Sequence, residues 1–235
     1  MGLDLGLYFL AIVAMLFSIW AQIKVNTTFN KYSRVNTRSG RTAAQVADMI
    51  LRNAGIYNVR IERVAGSLTD HFDPRTNTLR LSSAVYDSTS AAAVGVAAHE
   101  AGHAVQHAVG YTPIKIRMSL VPAATFASKF TWILILIGAL MMSLEGSDIG
   151  YYVMLFGVGL FAVVTLFELV TLPCEFDASK RAMTALRSCG WYYDDELTAS
   201  RRVLTAAALT YVAALAVSLI QFLRLLSRLS GNRRR

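Results

Sequence analysis

His99, Glu100 and His103 form an H-E-x-x-H pattern in the stretch His99-Glu100-Ala101-Gly102-His103. The surrounding residues, 91–109, contain no proline and are dominated by alanine and valine, which predicts a helix. Two histidines four residues apart lie on one helical face, about 40° apart around the axis. Both imidazoles can therefore reach one Zn²⁺, with Glu100 beside them as the general base for a water that the metal activates. The chemistry implied is metal-assisted hydrolysis of a peptide bond. Ala97, Ala98, Ala101, Gly102 and Ala104 are small, and Val94, Val96 and Val105 are apolar, so the helix is expected to be buried. A buried Glu between two His is costly unless something compensates it, and a metal does so.

A catalytic zinc site needs a third protein ligand and an open position for water. His107 is displaced from His103 by another 40° or so and by about 6 Å along the helix, so one ion does not suit all three histidines. It reads as a polar residue further along the same helix. The elongated H-E-x-x-H-x-x-G-x-x-H pattern requires Gly at 106 and His at 109; Gln106 and Val109 exclude that class. His71, upstream, is placed to line the cleft. Otherwise the third ligand is a carboxylate from a distant segment.

Composition indicates where that segment lies. Of 235 residues, 54% are hydrophobic, and the mean hydropathy is +0.44. This is too apolar for an ordinary soluble domain. Four stretches account for it: 3–23, 130–144, 149–172 and 203–223. Each is near the ~20 residues that cross a bilayer as a helix. The first lacks a basic leader and a small-residue cleavage site, and reads as an uncleaved anchor. Lys24, Lys31, Arg34, Arg38 and Arg41 follow it, and Lys180, Arg181, Arg187, Arg201 and Arg202 lie between the third and fourth stretches. Glu145 and Asp148 occupy the link between the second and third. The positive-inside tendency places 24–120 and 173–202 in the cytoplasm, and the N-terminus and the 145–148 link outside. Four full spans would leave Arg233, Arg234 and Arg235 outside, against the same tendency, so a re-entrant or interfacial last segment stays open. The net charge of +8 fits juxtamembrane residues beside anionic lipid. No aromatic-interleaved basic motif suggests nucleic acid. Cys174 and Cys189 have no metal-binding spacing, and a cytoplasmic face argues against a disulfide.

The remaining residues predict a modest α+β unit. Ala43, Val46, Ala47 and Ile50 recur with helical spacing over 42–54, with Gly55 suited to the C-terminal cap. Val59, Ile61 and Val64 suggest a short strand, 73–77 a turn, and 78–82 an edge strand in which Leu79 and Leu81 alternate. Ser90 is placed to cap the motif helix. Glu175 and Asp177, just beyond the third apolar stretch, are the candidate carboxylates; they lie about 200° apart on a helix, so only one faces the metal. Pro173 is suited to starting a new helical turn there. Glu168 is an alternative within the stretch.

Four segments together carry a resemblance: Leu68-Thr69-Asp70-His71-Phe72-Asp73-Pro74, then 97–106 around the motif, then Pro173-Cys174-Glu175-Phe176-Asp177-Ala178-Ser179, then 207–214. Across essentially its whole length the chain resembles the YugP-like family of neutral zinc metallopeptidases of bacterial membranes. More distantly it is similar to the HtpX and CAAX-prenyl endopeptidase class, where the Glu of an E-[FY]-x-A-D pattern is the third zinc ligand. The resemblance implies that Glu175 takes that role beside His99 and His103, with Glu100 catalytic and one catalytic Zn²⁺. Ser179 stands where that class has Asp, which leaves Asp177 to take over a supporting carboxylate role.

The expected fold is a mainly α membrane protein with a small α+β catalytic domain of the zincin, gluzincin-like type and about four transmembrane or membrane-associated helices. Its expected divisions are an anchor at 1–23, a cytoplasmic catalytic unit at 24–120, a transmembrane hairpin at 121–172 with its tip at 146–148, a third-ligand segment at 173–202, and a C-terminal transmembrane or re-entrant helix at 203–235. The expected location is the bacterial cell membrane, multi-pass. Expected partners are the bilayer and a peptide or membrane-protein substrate, not nucleic acid; a homo-oligomer or a membrane-protein partner is left open. Residues 79–82 are placed to pair with an extended substrate, and His71, Tyr211 or an Arg to stabilise the oxyanion. Two rivals are a silent zinc-containing adaptor, which has no need of Glu100, and a transporter, whose ligands would sit mid-span, unlike His99 and His103.

Overall fold

A computed structural model of the chain describes residues 2–145 and 148–232. Gly146 and Ser147 of the expected hairpin tip, and Arg233, Arg234 and Arg235, lie outside the described residues. The order of elements is α1 (Gly2–Tyr32), α2 (Ala43–Asn53), β1 (Arg60–Val64), β2 (His71–Asp73), β3 (Thr78–Ser82), α3 (Ala91–Ala108), α4 (Thr112–Glu145), α5 (Asp148–Ser188) and α6 (Asp194–Asn232). Among the described residues, four segments are long and apolar enough to cross a membrane: Leu5–Tyr32, Thr112–Leu144, Asp148–Ser188 and Asp194–Ser230. The protein is therefore mainly α, of membrane type, with one small sheet, as the composition predicts.

The chain divides into two units. The first comprises Met1–Trp20, Ile116–Thr171 and Tyr211–Arg235; the second comprises Ala21–Lys115 and Leu172–Thr210. In the first unit, α4 and α5 approach closely through glycine. A Cβ on Gly138 would lie 2.5 Å from Met154 N, and one on Gly157 would lie 3.0 Å from Ile135 N. Small residues of this kind let helix backbones pack where no water drives association. Ile135, Met154, Val158, Phe161, Leu225 and Leu229 form its buried cluster. Leu5, Phe9, Ile12, Leu136, Leu140 and Phe156 are exposed, an outward apolar surface suited to lipid.

In the second unit, α2 begins with a capping box: the Thr42 hydroxyl accepts from Gln45 N–H, and the Gln45 side chain accepts from Thr42 N–H. Its face of Ala43, Val46, Ala47, Ile50 and Leu51 is buried, and Gly55, at φ +73, takes the left-handed position just past the end. The Ser90 hydroxyl caps α3 by accepting from Ala93 N–H at 3.2 Å. Most of α3 is buried against α2, the sheet and the later helices, the packing its alanines and glycines predict.

Two expectations are corrected here. The sheet order is β1-β3-β2, with β1 parallel and β2 antiparallel to β3. Residues 78–82 are thus the central strand, and 79–82 cannot receive a substrate strand because both sides are paired. Alternation of Leu79 and Leu81 reports a buried face, not an unpaired edge; here Thr78 and Ser82 are buried as well. The second correction concerns Pro173, which starts no new helix: α5 runs through it to Ser188. Proline removes one N–H from the ladder, but Glu175, Ala178, Ala182 and Leu186 follow at helical spacing, all buried, and that packing carries the helix on.

The β2–β3 turn is held by Asp73. Its carboxylate accepts from Arg75 N–H at 3.0 Å, the Thr76 hydroxyl at 3.1 Å and Arg80 Nη1 at 3.2 Å. Desolvation pushes this carboxyl upward, but the hydrogen bonds outweigh it and hold the pKa at about 2. Because that value lies below the unfolded one, ionised Asp73 stabilises the fold above about pH 4, and the contribution is lost as pH falls towards about 2. We expect Asp73→Asn to be less stable than the parent protein at neutral pH. The gap should close on acidification across that window, as read by denaturation in detergent at stepped pH.

Candidate metal centre

The centre is built where α3 meets the part of α5 in the second unit. The two backbones touch at Gly102: a Cβ there would lie 2.6 Å from Ala178 O. With no side chain at this point, α3 settles close enough for His99 and His103 to face Glu175 on the neighbouring helix. His99 Nε2 lies 3.1 Å and His103 Nε2 3.4 Å from Glu175 Oε2. The two rings stand nearly perpendicular with centroids 4.7 Å apart. One ligand atom from each of the three residues lies within 4.8 Å of the others.

Glu175 is only 2% exposed and His103 7%, whereas His99 and Glu100 are half-buried. A carboxylate so far from water is costly unless a cation balances it. Two imidazole nitrogens turned towards that same oxygen complete a donor set of two N and one O. The set fits zinc, with room in a tetrahedral site for a water.

The far sides of both rings are anchored. His99 Nδ1 is 3.1 Å from Ser179 Oγ, and His103 Nδ1 is 3.0 Å from Gln106 Oε1. Gln106 Nε2 donates to Cys174 O and to Asp177 Oδ2, each at 2.8 Å, and Arg181 Nε donates to Asp177 at 2.6 Å. Asp177 and Arg181 also line a cavity of about 440 Å³ with Gly102, Val105 and Ile50, which contains none of the three clustered residues.

Of the residues singled out in the sequence, His99, His103 and Glu175 come together, with Glu100 next in the helix. Asp177 stays outside the cluster and supports it through Gln106. His107 stands apart, its ring centroid 5.8 Å from that of Phe72. His71 is exposed and bonded through Nδ1 to Thr69 O. Glu168 and Tyr211 belong to the first unit. The sequence reading missed the roles of Gln106 and Gly102. The signal for Gln106 was its position three residues after His103, on the same helical face.

The chain was compared with known proteins. A family model described as "Putative neutral zinc metallopeptidase" matches residues 7–230. The chain is 45% identical over 218 residues to "Putative membrane protease YugP" of Bacillus subtilis (strain 168), covering 92% of this chain and 93% of the relative. No solved structure matches.

The Gly102 contact is directly testable. Gly102→Ala gains about 1 kcal/mol of helix propensity, but its methyl group collides with a backbone carbonyl, and overpacking costs about 1–3 kcal/mol. The expected net result is a lower thermal unfolding midpoint of the detergent-purified protein.

Proposed function

We propose a function from one premise: the chain belongs to the neutral zinc metallopeptidase family. It is a zinc-dependent endopeptidase of the bacterial membrane, in which His99, His103 and Glu175 hold the metal and Glu100 is the catalytic base. The observation that carries this reading is the meeting of three ligand atoms within 4.8 Å, from residues up to 76 positions apart in the chain, directly beside Glu100.

Zinc bound there supplies Lewis acidity towards a water and a peptide carbonyl. Glu100 takes the proton of the attacking water and delivers it to the leaving amine. Its partial exposure suits that task, because a base must reach both solvent and substrate. Glu175 supplies the negative charge that retains the cation, while Ser179 and Gln106 hold the rings in place. The substrate is a peptide or a segment of a membrane protein. An extended substrate would find its free sheet edges at β1 and β2.

The apolar segments cross the bilayer several times, and their flanking Lys and Arg residues favour a cytoplasmic centre. In a background with Cys174 and Cys189 replaced by Ala, the exposed positions Thr76 and Ser188 can each carry a single cysteine. An impermeant thiol reagent should label neither on intact cells and both after permeabilisation. Labelling of the two from opposite sides would separate His103 from Glu175 and sink the reading.

The chemistry is tested on detergent-purified protein. Glu100→Gln should retain zinc and lose casein hydrolysis, and full activity in that variant would refute the role of Glu100. Glu175→Ala should lose zinc far more than Asp177→Ala or His107→Ala, as metal analysis of the three variants would report.

A further inference from the structure

Gln106 is fully buried, and the orientation of its carboxamide is dictated by its neighbours. Cys174 O and Asp177 Oδ2 both lie 2.8 Å from Nε2, and both are acceptors. The NH₂ group must face them, since turning the amide over would set its oxygen against two other oxygens. Both amide hydrogens are thereby used. Oε1 is then the atom presented to His103 Nδ1 at 3.0 Å. An amide oxygen only accepts, so Nδ1 carries a hydrogen, and in the neutral ring Nε2, the nitrogen turned to Glu175, is the one with the lone pair.

We propose that Gln106 is a positioning residue: held by Cys174 O and Asp177, it fixes His103 in the one tautomer and ring orientation that offers Nε2 to a metal. The inference rests on the zinc reading above and deepens it. His103 thus donates to Gln106 and Gln106 to Asp177, and Arg181 donates to the same Asp177 oxygen from the other side at 2.6 Å. His99 is held differently. The Ser179 hydroxyl both donates and accepts, so it locates the ring without dictating which nitrogen bears hydrogen. The two histidines of the motif are thus unequal, and His103 is the preset one.

The test separates hydrogen bonding from packing. Methionine fills nearly the volume of glutamine but accepts no comparable hydrogen bond. Glutamate can share one proton with Asp177 and still present an oxygen to His103 Nδ1, at the loss of the bond to Cys174 O. Zinc affinity is measured by chelator competition on the full-length protein in detergent, with thermal unfolding of the zinc-free form as the folding control. Gln106→Met should weaken zinc binding about 10–100-fold, while the zinc-free form still folds cooperatively, with a lowered unfolding midpoint because the three hydrogen bonds of Gln106 are lost. Gln106→Glu should lose clearly less than Gln106→Met. Asp177→Leu should give a smaller loss than Gln106→Met, because Cys174 O still takes one amide hydrogen. Parent-like affinity in Gln106→Met, or equal losses in the Met and Glu variants, overturns the inference. Glu175→Ala is the reference: if it binds zinc as the parent does, the metal centre itself is refuted, whereas zinc loss there without loss in Gln106→Met refutes only the role of Gln106.

Discussion

A carboxylate removed from water constrains everything around it. Glu175 has almost no exposed surface, and its Oε2 faces the ring nitrogens of two histidines. Such a group is stable only with opposite charge or several donors at hand. The histidines must arrive from a second helix, that helix must come close, and closeness requires a residue without a side chain at the crossing. Gly102 meets that demand against Ala178. The capped start of α3, its small residues and the support of α2 and the sheet then hold the motif helix in register with α5.

The surrounding hydrogen bonds follow from the same constraint. Ring nitrogens on the far side of a buried cluster need partners of their own. Ser179 and Gln106 meet that need, and Gln106 in turn requires acceptors, which Cys174 O and Asp177 supply. The resemblance pointed to Asp177 as a supporting carboxylate. It lies one residue removed, bonded to Gln106, which in turn meets His103 Nδ1.

How much was legible in the sequence differs by the physics involved. Features governed by local periodicity and capping were readable: the α3 helix, its Ser90 cap, the Gly55 terminus of α2 and the apolar runs. Features governed by neighbours distant in the chain were not. Whether 78–82 sits at the edge or the centre of a sheet depends on β1, to which no local signal ties it. Whether Pro173 ends a helix depends on what the following turns bury. The carboxylate of the cluster was narrowed by helical geometry to alternatives, and the family resemblance pointed to Glu175, which the cluster contains. The role of Gln106 was missed because its spacing from His103 says nothing about Cys174 O and Asp177, the distant partners that orient its amide.

The distance along the chain between the clustered residues has a consequence for biosynthesis. His99 and Glu175 are separated by 76 positions, an interval that includes all of α4 and more than half of α5. A nascent chain that has produced the H-E-x-x-H helix still lacks the carboxylate, the Ser179 hydroxyl and the Cys174 carbonyl. On the reading given above, no fragment ending before Glu175 can assemble the centre. The cluster can therefore assemble only late in translation, after α1, α4 and most of α5 have been made, and a product truncated before Glu175 carries the motif without its carboxylate neighbour.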